Sequence, residues 1–326
     1  MMRLRTLFVL VLASLAPAAF ANDGIAEREA GGLVFRTTNA IDMVSEDLYV
    51  SRERIRVRYL FRNRTPRAVR LTVAFPLPDH DLREDFYGDT AYPTDFHTRV
   101  DGRPIRMRVE YRATWRGVDH TALLNRLRVP IMYTGESLEP IVEALSNLPL
   151  AEQNRLLTLG LVEPFDDQTP GHRISPMWTV KETWYWDQTF PAGRNLVVEH
   201  DYRPGAGGTH TTGLGSPTVR ESEYGRAAIA RYCIDSDFLA GAQRIVRRDG
   251  DAYFGEHNIS YILTTGAGWR SPIGTFRLVV DKERPQNLVS FCGEGVRQIS
   301  PTRFEMVRRN WRPTADLHVL ILQPRR

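Results

Sequence analysis

The chain has 326 residues, 42% hydrophobic and 25% charged, with 43 basic against 39 acidic side chains and two cysteines. That size and apolar content suffice for a sizeable buried core, which excludes an intrinsically disordered class, and so few cysteines exclude a small disulfide scaffold. A formal net charge of +4 is too slight for a polyanion-binding tail.

The first 21 residues read as an export signal. Arg3 and Arg5 make a positive start, Leu7 to Leu15 is an apolar run, and Ala19-Phe20-Ala21 is a small-x-small cleavage pattern. The apolar run is shorter than the roughly 20 residues needed to span a bilayer. No twin arginine precedes it and no cysteine stands at the cleavage point. The expectation is a mature chain beginning at Asn22, periplasmic or otherwise exported, without a transmembrane segment. Loss of Arg3 and Arg5 leaves 43 − 2 = 41 basic against 39 acidic residues, a net charge of +2.

From Gly32 to Trp115 apolar residues recur with period two. Ile55, Val57, Tyr59 and Phe61 share one face of a strand while Arg54, Arg56, Arg58 and Arg62 share the other. Val69, Leu71, Val73 and Phe75 alternate with Arg70 and Thr72, and Ile105, Met107, Val109 and Tyr111 alternate with Arg106, Arg108, Glu110 and Arg112. Short half-buried strands joined by turns such as "NRTPRA" and "VDGRP" predict an antiparallel sandwich.

A helical stretch follows. "VDHTALLNRLRV", "SLEPIVEALSNL" and "PLAEQNRLLTLGLV" place apolar residues three and four apart, the last opening at Pro149 and ending at Gly160. Strands resume in "PMWTVKETWYWDQTF" and "NLVVEHDYRP", so residues 119–170 read as an insertion between strands of one sheet. The segment "PGAGGTHTTGLGSP" matches neither a dinucleotide fingerprint nor a phosphate loop and reads as a domain boundary. Beyond it, "GRAAIARYCIDSDFLAGAQRIVRR" is partly helical. "HNISYILTTG", "TFRLVVD", "NLVSFCG", "TRFEMVRRN" and "DLHVLIL" then read as strands.

Cys233 and Cys292 admit two readings. In an oxidising compartment an isolated pair is most economically a disulfide. Against that, "SPIGTF" followed by Cys292 looks like a cell-wall transpeptidase with a cysteine nucleophile. Such an enzyme needs a histidine beside the sulfur, yet the nearest in sequence are His257 and His318.

The blocks "ANDGIAEREAGGLVF", "IDMVSEDLYVS", "VRYLFRN" and "VAFPLPD", and later "ARYCIDSDF", "ISYILTTGAGWRSPIGTFRLVVDK", "LVSFCGEGV", "ISPTRFE" and "RPTADLHVLIL", resemble the domain-of-unknown-function family 4424 of exported bacterial proteins. The likeness extends over essentially the whole mature chain. It carries no established activity, substrate or catalytic residues. It does imply a cysteine at both Cys233 and Cys292, in agreement with the disulfide.

Two further groups of residues merit weighing. Period two puts Trp178, Val180, Glu182, Trp184 and Trp186 on one strand face. Trp178, Trp184 and Trp186 could form a sugar-stacking platform, although filling a core is the favoured role. Glu182 and Asp187 fall on opposite faces, which is poor geometry for a glycosidase pair. Arg54, Arg56, Arg58, Arg70, Arg106, Arg108 and Arg112 would make a positive sheet surface if their strands are neighbours. Like charges so placed repel, so either acids intervene or an anionic ligand is expected. His80 and His210 lie in "PDHD" and "GTHTTG" without metal-ligand spacing, and no nucleophile elbow occurs.

The sequence therefore predicts a mainly β protein. A sandwich-like domain over residues 22–215 carries the helical insertion, and a smaller β-rich domain over residues 216–326 has a preceding helix. No catalytic residues, cofactor or metal are assigned. The function read from it is an exported, non-catalytic binding module whose partner is an envelope protein, a lipid headgroup or an acidic glycan, not nucleic acid. The alternative is a cell-wall or glycan-modifying hydrolase or transpeptidase.

Overall fold

A computed structural model describes residues 22–29, 32–83, 93–133, 137–164, 174–205, 214, 216–249 and 254–324. Residues 1–21, which read as an export signal, together with His210 and most of the glycine-rich segment, lie outside the described residues.

The described residues open with β1 (Gly24–Glu29) and β2 (Gly32–Arg36), then β3 (Ile41–Val50), β4 (Ile55–Asn63) and β5 (Val69–Pro76). Next come β6 (His80–Asp81), β7 (Thr94–Val100), β8 (Arg103–Pro104), β9 (Arg108–Trp115) and β10 (Val118–Asp119). Helices α1 (Thr121–Arg126), α2 (Glu139–Ser146) and α3 (Leu150–Thr158) lead to β11 (Val162–Pro164), β12 (Ile174–Pro176), β13 (Thr179–Phe190) and β14 (Asn195–Arg203). The remainder contains α4 (Pro217–Glu221), α5 (Glu223–Tyr232), α6 (Ser236–Asp249), β15 (Phe254–Tyr261) and a 3-10 turn at Thr264–Gly268. It ends with β16 (Ile273–Asp281), β17 (Leu288–Phe291), β18 (Arg297–Gln298), β19 (Arg303–Trp311) and β20 (Leu317–Pro324). The protein is mainly β, as its alternation predicts.

Two large sheets form the body. One has the order β10-β9-β13-β5-β1-β2 with β6 also on β13, and the other the order β18-β19-β16-β3-β4-β14-β7-β8. Period two decides what faces what. Along β4, Ile55, Val57, Tyr59 and Phe61 are buried while Arg56, Arg58 and Arg62 are exposed. Ile25, Val73, Phe75, Trp186 and Phe190 from the first sheet meet Leu48, Val57, Tyr59, Phe61, Val198 and Leu278 from the second in one core. Each large side chain so buried contributes about 1.5–3 kcal/mol of transfer free energy.

A three-stranded sheet, β15-β20-β17, completes that core. The run "LHVLIL" lacks alternation because both faces of β20 are covered. Leu317, Val319 and Ile321 join the main core, whereas Leu320 and Leu322 pack with Tyr232, Phe238 and Ala242 of α5 and α6.

The eight-stranded sheet draws on both ends of the chain. β16 lies parallel to β3, pairing Thr275 with Ser45 through Val280 with Val50, and antiparallel to β19. Residues on either side of the glycine-rich segment thus share a sheet and a core. A bulge between Met43 and Ser45 shifts the β3–β4 register at Val44. Gly274 passes directly over it, where a Cβ would lie 2.5 Å from the Val44 carbonyl oxygen. Helices α1 to α3 lie between β9 and β13, which are adjacent antiparallel strands. They enclose a second core of Leu124, Ile141, Leu145 and Leu156 with Trp178 and Val180.

Candidate functional site

Cys233 and Cys292 are joined, with an S–S distance of 2.06 Å and Cα atoms 5.0 Å apart. Cys233 caps the C-terminus of α5 in the left-handed region, with φ of 50°. The bridge ties that helix to the segment after β17. Ser290 Oγ reinforces the junction by donating to Tyr232 O at 2.9 Å. No free thiol remains, so the cysteine nucleophile of the transpeptidase reading is absent. "SPIGTF" is the entry to β16, with Ser271 Oγ donating to Asp42 at 2.9 Å.

The predicted arginines divide between the outward faces of the two sheets. Arg54 Nε is 3.0 Å from Asp201, Arg56 Nε 4.0 Å from the same carboxylate, and Arg58 Nε 3.5 Å from Glu199. These lie on or beside β4 of the eight-stranded sheet. There Arg277 bridges Asp47 and Glu305 at 3.0 and 2.9 Å, and Arg303 holds Asp281 at 2.8 Å. On the seven-stranded sheet, Arg70 and Arg108 converge on Asp187 at 3.4 and 3.2 Å, and Arg112 bonds Asp119 at 2.8 Å. Arg106 is exposed in the link between β8 and β9. Acids intervene, and the surface is a mosaic of both signs. The exposed pairs, such as Arg58 with Glu199 and Arg70 with Asp187, contribute about 0–1 kcal/mol each, so they pattern the surface more than they hold the fold, whereas the carboxylates of Glu305 and Asp281 are buried beneath their arginines.

The tryptophans do not line up as one open row. Trp178 is fully buried under the helices, and its Nε1 donates to Ile131 O at 3.0 Å. Trp186 belongs to the main core. Trp184 is half-buried, stacked on Phe96 with centroids 5.2 Å apart, and donates to Glu182 Oε1 at 2.5 Å. The shared face predicted by period two runs from the helical core into the main core, with buried Glu182 at the junction. His80 sits on β6 against Tyr133. Among the described residues no group of three or more metal-ligating side chains comes together.

A different cluster lies inside the main core. Asn22 and Asp23 are 0% exposed, and Glu46 and His200 1%. His200 bridges Asp23 at 3.0 Å through Nε2 and Thr98 Oγ1 at 2.8 Å through Nδ1. Asn22 Nδ2 donates to Glu46 Oε2 at 2.9 Å, and Trp269 Nε1 donates to Asp23 O at 2.7 Å. The Asn22 amide donates to Thr265 Oγ1, and the Thr265 hydroxyl donates to Asn22 O. Tyr59 and Tyr261 share a hydrogen bond of 2.7 Å beside them.

Burial makes charge costly at this place. It raises the Glu46 carboxyl to about 8, opposed by the Asn22 hydrogen bond and helped by nearby Asp23. It also raises Asp23, against the attraction of His200. The Tyr59 and Tyr261 hydroxyls are pushed up by burial and by neighbours that include both carboxyls. The arrangement can hold a proton or accept a cation. Its burial leaves it shaping the fold, with no face open to a dissolved substrate.

Sequence reasoning missed this cluster, though a signal was present. Glu46 falls in phase with Leu48 and Val50 on β3, and His200 falls in phase with Leu196, Val198 and Tyr202 on β14. A polar residue on the inward phase of a strand must find a partner inside.

Among the described residues no helix is long and apolar enough to cross a membrane. No curated protein matches the chain. Among solved structures, it is similar to the crystal structure of a "putative nutrient binding protein" from Legionella pneumophila, at 16% identity over 88% of this chain and 68% of that one, with a TM-score of 0.42. The model of a family described as a domain of unknown function, DUF4424, matches residues 21–320, and the chain belongs to that family.

Proposed function

We propose that this protein is an exported envelope module that binds another protein through the outer face of its eight-stranded sheet and carries out no bond-making chemistry. The observation that supports this reading is the alternation of Arg54, Arg56, Arg58 and Arg277 with Asp201, Glu199 and Asp47 on open sheet surface, beside Arg277 and Arg303 that cover the buried carboxylates of Glu305 and Asp281. A mosaic of both signs complements a partner surface that also alternates, and it repels a uniform array of one sign at half its positions. A lipid headgroup or an acidic glycan would first have to displace the paired acids. The rival enzyme reading needs a nucleophile or acid pair open to substrate. Here the sulfurs are bonded to each other, and Asp23, Glu46 and His200 are buried.

The test is capture of a crosslinked partner from envelope extract by wild type and by the Arg54→Gln/Arg56→Gln/Arg58→Gln variant. Vesicles of phosphatidylglycerol and purified wall sacculi are probed in parallel. The expected result is a protein partner lost with the triple variant and no binding to either anionic probe. Unchanged capture refutes the face. Vesicle or sacculus binding that disappears with the triple variant moves the partner class to headgroup or glycan.

A further inference from the structure

Glu46 and Asp23 place two carboxyl groups within one apolar core, and among the described residues no lysine or arginine is a principal influence on either. The titratable groups that face them come from several elements: His200 on β14, Tyr59 on β4 and Tyr261 on β15. Of these only His200 can bring a positive charge, and it bonds Asp23, not Glu46. Among the described residues, three buried acceptors of this cluster are left without a donor: Asn22 Oδ1, Asp23 Oδ2 and Glu46 Oε1. A buried acceptor without a donor is destabilising, and a buried carboxylate without a cation more so.

All three acceptors belong to Asn22, to its neighbour in sequence, or to the carboxyl that the Asn22 side chain touches. The Asn22 nitrogen is in the same place, bonded to Thr265 Oγ1 inside the core. Asn22 is also the residue that follows Ala19-Phe20-Ala21. As a peptide amide its nitrogen carries one N–H and no charge. As a chain terminus it carries three N–H groups and a full positive charge.

We propose that the functional form of this protein is the product of cleavage between Ala21 and Asn22, and that the α-ammonium created there is the buried counter-ion of Glu46 and Asp23. The proposal rests on the export reading of the first residues. In the cleavage, a leader-removing peptidase adds water across the Ala21–Asn22 peptide bond. The water oxygen joins the Ala21 carbonyl carbon, which leaves as a carboxylate, and both hydrogens of the water end on the Asn22 nitrogen. The two added N–H groups supply donors for two of the three orphaned acceptors, and the charge offsets a carboxylate that burial otherwise keeps protonated. Maturation thereby becomes part of folding, because the uncleaved chain has the acids without their cation.

Three measurements test this. Mass spectrometry of the exported protein is expected to find Asn22 at the N-terminus; another start overturns the cleavage reading, whatever the cluster does. In folded protein beginning at Asn22, the α-amine is expected to resist reductive methylation until denaturant is added. Labelling in the native state at the rate of an exposed amine overturns the burial of the ammonium. Finally, chains beginning at Asn22 and at Ala21 are compared by urea unfolding at neutral pH, each with Glu46 and with Glu46→Gln. Retaining Ala21 is expected to lower the folding constant about a hundredfold or more beside Glu46, the scale for stranding one partner of a buried charge pair. The effect is expected to shrink to a small fraction of that beside Glu46→Gln. An equal loss in both backgrounds, or none in either, overturns the ion pair.

Discussion

Replacing Cys233 and Cys292 together by serine removes the covalent link between α5 and the segment after β17, and the structure allows the effect to be worked out. The two positions are separated by 59 residues and both are exposed. Exposure matters because it means that almost no packing is lost with the sulfurs. What remains is the freedom returned to the unfolded chain. For a closed loop of about 60 residues the chain-entropy relation gives roughly 14 cal/mol/K, or about 4 kcal/mol at 25 °C. Spread over the unfolding entropy of a domain of about 300 residues, that lowers Tm by about 6 °C. Calorimetry and urea unfolding of the double variant, and of wild type with and without reductant, provide the assay. The variant and the reduced wild type should coincide. A loss below about 1 kcal/mol would refute the argument, since it would mean that the unfolded chain is not restrained by the bridge. A loss confined to a separate early transition would instead assign the bridge to local docking of α5 and α6 on β17 and β20, whose shared core holds Tyr232, Phe238 and Leu320.

The other predictions address the interior. In a chain whose residue 22 nitrogen remains an amide, Glu46 holds its proton up to about pH 8 when folded but loses it near 4.5 when unfolded. The folded state then binds more protons between those values. Stability is therefore full below pH 4.5 and falls as pH rises, by up to about 1.4 kcal/mol per unit, levelling beyond 8. Urea titrations from pH 4 to 9 check this, and Glu46→Gln should flatten the profile; a profile as steep in the variant would assign the slope to other groups. Gly274→Ala forces a Cβ to within 2.5 Å of Val44 O at the β3 bulge. It should lower stability by about 1–3 kcal/mol, as overpacking against backbone does, with an unchanged urea midpoint counting against that contact. Trp178→Phe strands the Ile131 carbonyl that Nε1 reaches at 3.0 Å. A loss of about 1–3 kcal/mol is expected, with hydrogen exchange accelerating first in α1 to α3. Exchange that rises evenly over the molecule would refute a local role.

By itself the amino-acid sequence determined the local elements, because period two and the spacing of three and four are written into neighbouring residues. The buried face of β4, the three inserted helices and five of the six C-terminal strands, all but the two-residue β18, were readable from alternation and turn residues. The cysteine pair was readable too, as two thiols that an oxidising compartment would join. Tertiary structure alone decided which strands lie side by side. Nothing local in "TFRLVVD" announces that β16 runs parallel to β3, more than 200 residues away in sequence, with Arg277 over Asp47. The pairing of β14 with β4 likewise sets Asp201 opposite Arg56 and Glu199 opposite Arg58, and turns an apparent positive face into a mosaic. The same holds for the interior: Asn22, Glu46, His200 and Thr265 are ordinary polar residues along the chain and become a buried cluster only when three elements and the residues just before β1 converge. Periodicity states which side of a strand a residue occupies. What stands opposite is chosen by packing over the whole molecule, and charge and burial acquire their meaning from that choice.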